Sequence, residues 1–345
     1  MISMADIAAE AKVSRTTVSL VLNDRHIKGV NISEETRRLV KEVARLRGYR
    51  QNALASSMAK GKSPLIGCLG LDPGEETALY VGQIMTAAVK AAAEQNYSLK
   101  LLSSEHTVDQ LVEECFGYRM SGVIIRSRNR GVFDQLREQL AGYHIPIVLI
   151  DTDYDEPGLT SINSDDADGM RQMVSHLVGL GHRKLALLAF EDFTPFSVVR
   201  KRGYLEALRS QGLSLGEESC YTTNTLELRH PFQRAEELAT QILSLPDRPT
   251  AIVCNCDEVA MLVLRAAWRL NIKVPDELSV VGFGNLPMGI FSCPALTSID
   301  RPYDQVGAAA IRQLIKPQGN DNPIKLPVKL ILRQSTAQCP KQTIK

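Results

Sequence analysis

The stretch "VSRTTVSLVLN", residues 13–23, has too few apolar side chains for a helix buried inside a large domain. Its apolar residues Val13, Val18, Val21 and Leu22 recur at helical spacing, and small hydroxyl side chains and one arginine lie between them. Such a helix packs against two neighbours through a narrow face. Its other face is free to contact something outside the domain.

Two further helices flank this stretch. The first is predicted over Met4–Ala11, and Ser14 is a good N-cap for the second, Arg15–Asn23. A third helix is predicted to begin after Ser33 and to end at Gly48. Two short helices joined by a three-residue turn, the second with a polar outer face, form a helix-turn-helix, whose second helix enters the major groove of DNA. The sequence therefore predicts an all-helical DNA-binding domain at the N-terminus.

The charges are distributed unevenly along the chain. The net charge of +1 is the sum of +6 on residues 1–62 and −5 on the remainder. A basic domain joined to an acidic one is expected when only the first meets a polyanion such as DNA. Small helical domains are also basic by chance, so the charge alone leaves both interpretations open.

From Leu65 onward, apolar runs of strand length alternate with amphipathic helical stretches. The runs are "LIGCLGL", "LKLL", "GVII", "IVLI", "KLALLAF", "AIVC", "LSVVGF" and "LTSI". Continuous apolar strands that alternate with helices indicate parallel sheet covered on both faces, and the length favours two such sheets. Small-molecule sites in this α/β architecture lie beyond the carboxyl ends of the strands and often between two lobes.

Composition excludes several classes of protein. No apolar run approaches the ~20 residues that span a bilayer, and the N-terminus "MISMADIAAEAK" lacks the regions of a signal peptide. We therefore expect a cytoplasmic protein with no membrane partner. The seven cysteines are scattered and form no C-x-x-C pair, so reduced thiols are expected.

Motifs that could indicate an enzyme are weak. "GKS" at 61–63 lacks the upstream glycine of a phosphate-binding loop, and "SMAK" at 57–60 lacks the partner motifs of an S-x-x-K enzyme. "CNC" at 254–256 favours two buried strand thiols over a metal site, and His176 and His182 are expected to be structural. We predict no catalytic residues, no metal, no cofactor and no enzymatic activity.

Several segments, in order, resemble the lac-repressor-type (LacI/GalR) family of bacterial transcription regulators. They are "MADIAAEAKVSRTTVSLVLN", "ISEETRRLVKEVARLRGYRQNALASSMA", "LVGLGHRKLALLA", "RKRGYLEAL", "CDEVAMLVL", "LSVVGFGN", "CPALTSID" and "LILRQST". The resemblance implies a helix-turn-helix domain over 1–50, a hinge helix and linker over 51–62, and a two-lobed body like the periplasmic binding proteins over 63–345.

In such a body the chain crosses between the lobes three times. The resemblance places these crossings near Ile162, Ile290 and Pro323. The expected N-lobe is then about 63–162 plus 291–323, and the expected C-lobe is about 163–290 plus 324–338. This body would bind an effector between its lobes and would also carry the dimer contacts.

The resemblance assigns DNA contacts in the head. Arg15 and Thr16 match the positions that read bases, and arginine suits guanine because its fork can bond O6 and N7 together. Leu20 matches a third base-reading position, where it could contact a thymine methyl group. The positions that match DNA-backbone contacts are Ser3, Ser14, Ser19, Asn23 and Ser33. For each serine the alternative is helix capping.

The resemblance also assigns Asn52, Ala55 and Met58 to a hinge at the minor groove. Met58 replaces a leucine that wedges between base pairs, and Ala55 lets the hinge helices of a dimer touch. Outside context this segment is too short to be a stable helix. Lys12 stands where the family has a turn glycine, and the loop 24–32 is longer than usual.

Three effector contacts follow from the resemblance. Arg200 matches an arginine that clamps hydroxyls or carboxylates, and bidentate donors suit that task. Asp151 follows the strand "IVLI" where the family has a cleft acid, and Tyr80 could stack on the ligand.

Other cleft positions depart from the family. The pair that usually reads Asn-Asp is Cys256–Asp257, and the usual aspartate after "VVGF" is Gly284. The loss of these anchors argues against an ordinary hexose. Either the ligand is unusual, or the body binds no ligand and only dimerises.

The main hypothesis is a dimeric repressor of a palindromic operator, controlled by a sugar or related metabolite. After "LILRQST" nine residues remain, too few for a coiled-coil tail, so we expect a homodimer. One alternative is an effector-independent DNA-binding protein. The other is a cytosolic small-molecule-binding protein with a vestigial DNA-binding head.

Overall fold

The computed structural model describes residues 2–22, 31–50, 63–71, 78–127, 129–152, 154, 156, 158–190, 195–223, 231–317 and 322–340. The chain divides into two units, Met1–Ser63 and Pro64–Lys345, which we call the head and the body. In these ranges we find no helix that is both long and apolar enough to span a membrane.

The head contains helices α1 (Met4–Glu10), α2 (Arg15–Leu22) and α3 (Glu34–Leu46). Their buried residues form one small core, which consists of Ile7, Ala8, Ala11, Val18, Val21, Val40, Val43 and Ala44. In the turn between α1 and α2, Lys12 has a φ of 52°, a left-handed conformation that favours glycine. The predicted helix-turn-helix is confirmed; its first helix ends one residue earlier than expected, and the expected end of the second, Asn23, lies outside the described residues.

The body contains two sheets. Their strands are β1 (Leu65–Leu69), β2 (Ser98–Leu102), β3 (Gly122–Ile125), β4 (Ile147–Ile150), β5 (Ser161–Ser164), β6 (Leu185–Phe190), β7 (Cys220–Thr223), β8 (Ala251–Cys254), β9 (Ser279–Gly284), β10 (Thr297–Asp300), β11 (Ile324–Leu326) and β12 (Lys329–Ile331). The helices are α4 (Ala78–Glu94), α5 (Val108–Gly117), α6 (Arg130–Gly142), α7 (Asp166–Gly179), α8 (Pro195–Ser210), α9 (Pro231–Leu243), α10 (Asp257–Arg269), α11 (Pro287–Phe291) and α12 (Tyr303–Ile315).

The sheets define two lobes. The N-lobe sheet has the order β11-β5-β4-β3-β1-β2, and the C-lobe sheet has the order β12-β10-β9-β8-β6-β7. All neighbouring pairs are parallel except β10 and β12. Both faces of a sheet are covered: in β3, Ile124 packs in one cluster while Val123 and Ile125 pack in another. The predicted pair of covered parallel sheets is confirmed.

Strand pairing locates the three crossings and corrects the second. Strand β5 stays in the N-lobe, where Ile162 pairs with Ile150, so the first crossing lies just after residue 164. Strand β10 pairs with β9 in the C-lobe, so the second crossing lies at Arg301 and not near Ile290. Strand β11 pairs with β5 and strand β12 with β10, so the third crossing falls just after Leu326, close to the expected Pro323.

All eight predicted strands are present. The sheets also contain four strands that the sequence did not predict, because they are not apolar runs: β5, β7, β11 and β12. The clearest is β5, "SINS", which is completely buried although three of its four residues are polar. Asn163 accepts a hydrogen bond from the Thr152 amide at 2.9 Å, and Ser164 donates one to Asp166. Because Thr152 follows the neighbouring strand β4 and a further partner of Ser164, Arg301, lies far along the chain, hydropathy alone could not identify the strand.

Candidate functional site

The head presents the first turn of α2 to solvent. Arg15 and Thr16 are exposed, while Val18 and Val21 of the same helix lie in the head core. The helix therefore has one face for packing and another that is free, as the apolar spacing predicts. This arrangement places an arginine fork and a hydroxyl where a groove of DNA could receive them.

The serines assigned to the DNA backbone also act as helix caps. Ser14 Oγ accepts from the Thr17 amide at 3.0 Å, and Ser33 Oγ accepts from the Thr36 amide at 3.2 Å. Both hydroxyls are exposed at the N-termini of α2 and α3, where backbone N–H groups and the helix dipole favour an anion.

Ser3 differs from the other two caps. Its hydroxyl donates to the Asp6 carboxylate at 2.8 Å, and its amide donates to the same carboxylate at 2.8 Å. The hydrogen bond from the Ser3 backbone lowers the pKa of Asp6. An ionised carboxylate beside Ser3 opposes a phosphate there, so this geometry favours capping over a backbone contact.

Leu20 also lies on α2. Only 6% of the residue is exposed, so it is not presented to solvent as Arg15 and Thr16 are, and its base-reading role stays a prediction. Ser19, one turn of helix further from the cap than Arg15, is half-buried. Asn23, Asn52, Ala55 and Met58 lie outside the described residues.

In the body, side chains from the N-lobe form a buried cluster at the carboxyl ends of its strands. The Tyr80 hydroxyl donates to Asp151 Oδ2 at 2.8 Å. Arg126, which follows β3, donates to the Tyr80 hydroxyl at 2.6 Å and to Asp151 Oδ2 at 3.3 Å. Tyr80 also stacks on Tyr303, with ring centroids 5.4 Å apart. The tyrosine therefore contacts other side chains of the protein at the place where a ligand was expected to stack.

Arg301 extends this cluster across the lobes. Its Nη2 donates to Asp151 Oδ1 at 2.6 Å, and its Nε donates to Ser164 Oγ at 2.8 Å. The same Nε lies 3.5 Å from Asp166 Oδ1. Burial alone would raise the pKa of Asp151, but Arg301 and Arg126 outweigh burial and hold that pKa well below its usual range.

Arg200 lies on the C-lobe side and is 2% exposed. Its Nε donates to Asp166 Oδ2 at 2.7 Å, and its Nη1 donates to the Asn255 carbonyl oxygen. The guanidinium lies 3.8 Å from the centre of the Phe283 ring. The arginine expected to clamp a ligand is therefore already bound to a carboxylate of the protein.

Asp257 is a structural residue, which corrects its assignment to the ligand. It is 0% exposed and accepts hydrogen bonds from Ser298 Oγ and the Leu286 amide, both at 2.6 Å. Burial raises the pKa of Asp257 to about 6 although both hydrogen bonds lower it. Its neighbour Cys256 packs against the C-lobe core, and burial raises the pKa of that thiol.

Gly284 ends β9 with a φ of 135°, a conformation that residues with a Cβ rarely adopt. A Cβ there would lie 3.1 Å from the Tyr303 hydroxyl. The backbone itself therefore requires glycine at this position, so no side chain faces a ligand.

A cavity of about 170 Å³ remains between the lobes. Its lining residues are Asp151, Thr152, Asn163, Ser164, Asp165, Asp166, Ala167, Phe196, Val199, Arg202, Arg301 and Lys325. Of the residues expected to bind the effector, Asp151 lines this cavity. Tyr80 and Arg200 are not among the lining residues, but each donates a hydrogen bond to a carboxylate that is: Tyr80 to Asp151, and Arg200 to Asp166. Sequence reasoning missed Arg126, Asp166 and Arg301, although each follows directly on a strand or begins a helix after one.

Comparisons with known proteins agree with both units. Residues 3–52 match the family described as "Bacterial regulatory proteins, lacI family", and residues 174–336 match "Periplasmic binding protein-like domain". The chain is 28% identical to the probable HTH-type transcriptional repressor ExuR of Bacillus subtilis (strain 168), with 91% of each chain covered. It is 27% identical to catabolite control protein A of Priestia megaterium, with 97% of this chain and 99% of that one covered.

Solved structures show the same fold. The lac repressor dimer bound to operator and the anti-inducer ONPF superposes with a TM-score of 0.83 at 24% identity, covering 97% of this chain and 99% of that one. The transcriptional regulator CelR in complex with cellobiose superposes with a TM-score of 0.70 at 22% identity, covering 97% and 100%. The chain therefore belongs to the LacI family of bacterial regulatory proteins, and it is a DNA-binding transcription regulator and not an enzyme.

Proposed function

We propose that this protein is a cytoplasmic, dimeric repressor whose binding to a palindromic operator is controlled by a small polar ligand in the body. The observation that carries the proposal is the free face of α2. Arg15 and Thr16 are exposed on its first turn, while the opposite face of the helix is buried in the head core. An arginine at the start of a recognition helix suits bidentate bonding to guanine.

A dimer is supported by symmetry and by a relative. One helix-turn-helix reads a half-site, and two heads related by a two-fold axis read a palindrome. The lac repressor structure that shares this fold is described as a dimer bound to operator. Binding of two half-sites by one dimer supplies the affinity that a single small head lacks.

The effector half of the proposal rests on the cavity. Its lining is mostly charged and polar, and Phe196 and Val199 supply an apolar wall. Such a lining suits a small polyhydroxylated molecule, whose hydroxyl groups bond to carboxylates and whose ring face packs on an aromatic side chain. Relatives of the same fold have been solved with cellobiose and with ribose, which supports a carbohydrate or related metabolite.

Ligand binding would act by changing how the lobes close. A ligand that contacts both lobes favours one closure angle, and any difference in affinity between two angles shifts their populations. Since the body is joined to the head through residues 51–62, that shift would change the affinity of the head for its operator.

The test is selection of bound sites from a random duplex pool by the full-length protein at two salt concentrations. Contacts to phosphates weaken steeply with salt, so a palindrome enriched at the higher concentration reports specific reading of bases by a dimer. Recovery of no motif at either concentration, by a protein that is folded, would contradict the proposal.

An effector-independent DNA-binding protein is the second candidate. The observation that favours it is that Tyr80, Asp151 and Arg200 already contact other protein side chains. The two candidates differ in the response of the melting temperature of the full chain to a panel of mono- and disaccharides. A rise with one of them supports the effector-controlled repressor, since a ligand of the native state stabilises it.

A further inference from the structure

We infer that Arg301 is a positioning residue that fixes the resting angle between the lobes, and that a ligand in the cavity acts by displacing its bonds. Arg301 lies at the second crossing, immediately after β10 of the C-lobe sheet. The three groups that it contacts are Asp151, Ser164 and Asp166. We call Arg301 and these three residues the brace. The role of the brace in regulation rests on the proposed function.

The brace joins three separate parts of the chain. Asp151 follows β4 of the N-lobe, Ser164 ends β5 of the N-lobe, and Asp166 begins α7 just after the first crossing. Arg301 donates to Asp151 at 2.6 Å and to Ser164 at 2.8 Å, and it approaches Asp166 at 3.5 Å. Two of the three crossings between the lobes are therefore tied to one another through a single guanidinium group.

Burial makes these bonds hard to exchange for water. Arg301 is 7% exposed, and both aspartates are 5% exposed. A charge that loses its partner in the interior is strongly unfavourable, so a change of lobe angle must replace these bonds together. The planar guanidinium also holds its N–H groups in a fixed fork, which lysine cannot reproduce. The brace therefore defines one preferred arrangement of the two crossings.

The same residues form part of the cavity wall. All four members of the brace line the cavity, together with Phe196 and Arg202. A ligand hydroxyl group that donates to Asp151 or Asp166 competes with Arg301 for the same carboxylate oxygens. Ligand binding and the angle between the lobes are then coupled directly, because the carboxylates that would bind the ligand are the ones bonded to Arg301.

The experiment measures amide hydrogen exchange of the full-length protein without ligand. The variants are Arg301→Gln, Arg301→Lys, Asp151→Asn and the double variant Arg301→Gln/Asp151→Asn. Arg171→Gln is the matched control, because Arg171 pairs with Asp168 at 2.9 Å on an exposed part of α7. Residues 161–168 and 297–303 report on the crossings, and the buried core strands β3 and β8 report on the global stability of the body.

Arg301→Gln should accelerate exchange at both crossings about ten-fold or more, with no change in β3 and β8. Asp151→Asn should also accelerate exchange there, and the double variant should accelerate it by less than the product of the two single effects, because the Arg301–Asp151 ion pair is lost in both. Arg301→Lys should lie between wild type and Arg301→Gln. A side chain that merely fills space would instead give additive effects and full rescue by lysine.

Exchange at the crossings that stays at the wild-type rate in folded Arg301→Gln would overturn the inference. If Arg301→Gln does not fold, Arg301→Lys decides: acceleration confined to the crossings supports the brace, and a wild-type rate overturns it. Failure to recover an operator would contradict the proposed function and leave this measurement unaffected. An operator recovered with unaltered exchange would contradict the brace alone.

Discussion

Arg301 Nη2 lies 2.6 Å from Asp151 Oδ1, although the two residues are 150 positions apart in the chain. Two arginines hold the pKa of Asp151 well below its usual range. Asp257 is equally buried, but it accepts its hydrogen bonds from a serine hydroxyl and a backbone amide, and burial raises its pKa to about 6. The two carboxylates therefore make stability depend on pH in opposite directions.

Asp257→Asn should change how the free energy of unfolding depends on pH. The pKa of Asp257 is about 6 in the folded protein against 3.8 as its ordinary value, so its stabilising contribution is present below pH 3.8 and is lost as the pH rises through 6. Between pH 3.8 and pH 6 the free energy of unfolding of the wild type should fall by about 3 kcal/mol relative to that of the variant. Urea unfolding followed by circular dichroism measures this, and parallel pH profiles would contradict it.

Asp151→Asn should have the opposite effect on the acid side. Because the folded pKa of Asp151 is lowered, its contribution is present above the ordinary value of 3.8 and is lost as the pH falls below it. At neutral pH the variant should be less stable by about 3–5 kcal/mol, since it leaves buried arginines without a charge partner. As the pH is lowered, the difference in the free energy of unfolding between wild type and variant should become smaller. A difference that stays constant to the lowest pH would show that Asp151 does not titrate as described.

Gly284→Ala should destabilise the body by about 1–3 kcal/mol, because the backbone at φ 135° is unfavourable for alanine and a Cβ would lie 3.1 Å from the Tyr303 hydroxyl. Gly82→Ala is the control, since Gly82 lies within α4 and a Cβ there meets nothing within 4 Å. That variant should gain up to about 1 kcal/mol from helix propensity. Equal effects on the free energy of unfolding would refute the strain at Gly284.

Leu20→Ala should destabilise the head by about 2–5 kcal/mol, as expected when a large buried side chain is removed. Leu46→Ala, at a residue that is 67% exposed, should change stability by less than about 0.5 kcal/mol. Hydrogen exchange in α1 to α3 measures both effects. If the Leu20→Ala variant keeps the stability of its head and selects a different DNA motif, the result would show that Leu20 reads bases.

Arg15→Ala should relax base preference at one position of each half-site and weaken binding by about 1–3 kcal/mol per half-site. Arg15→Lys is the matched control, because it keeps the charge and loses the forked donor geometry. Lysine should therefore preserve more affinity than alanine and still relax the preference. Site selection with each variant measures both quantities. An unchanged motif with Arg15→Ala would remove this residue from base reading.

Local chemistry made much of the fold predictable. Ser14 and Ser33 cap α2 and α3 as expected, and the apolar spacing of residues 13–22 identified a helix with one packed face. The apolar strands β1, β3 and β8 were equally clear, because a strand covered on both faces must be apolar along its length. Strand β5 was missed because its polar side chains find partners only after folding.

The site was less predictable than the fold. Asp151, Tyr80 and Arg200 could be assigned through the family resemblance, but the bond of Tyr80 to Asp151 and that of Arg200 to Asp166 could not. Arg126 and Arg301 carry no local signal beyond their position after a strand. Arg126 meets Asp151 only when β3 and β4 pair in the N-lobe sheet, and Arg301 meets the same carboxylate only when the C-lobe is joined to the N-lobe.

The sequence by itself determined the helices of the head, the apolar strands of the body and the family, because capping, periodicity and motif order are properties of neighbouring residues. Tertiary structure alone decided where the chain crosses between the lobes, that Leu20 and Asp257 are buried, and that Arg301 bonds to Asp151. These depend on strand pairing and on charges brought together over 150 positions, which no local pattern records.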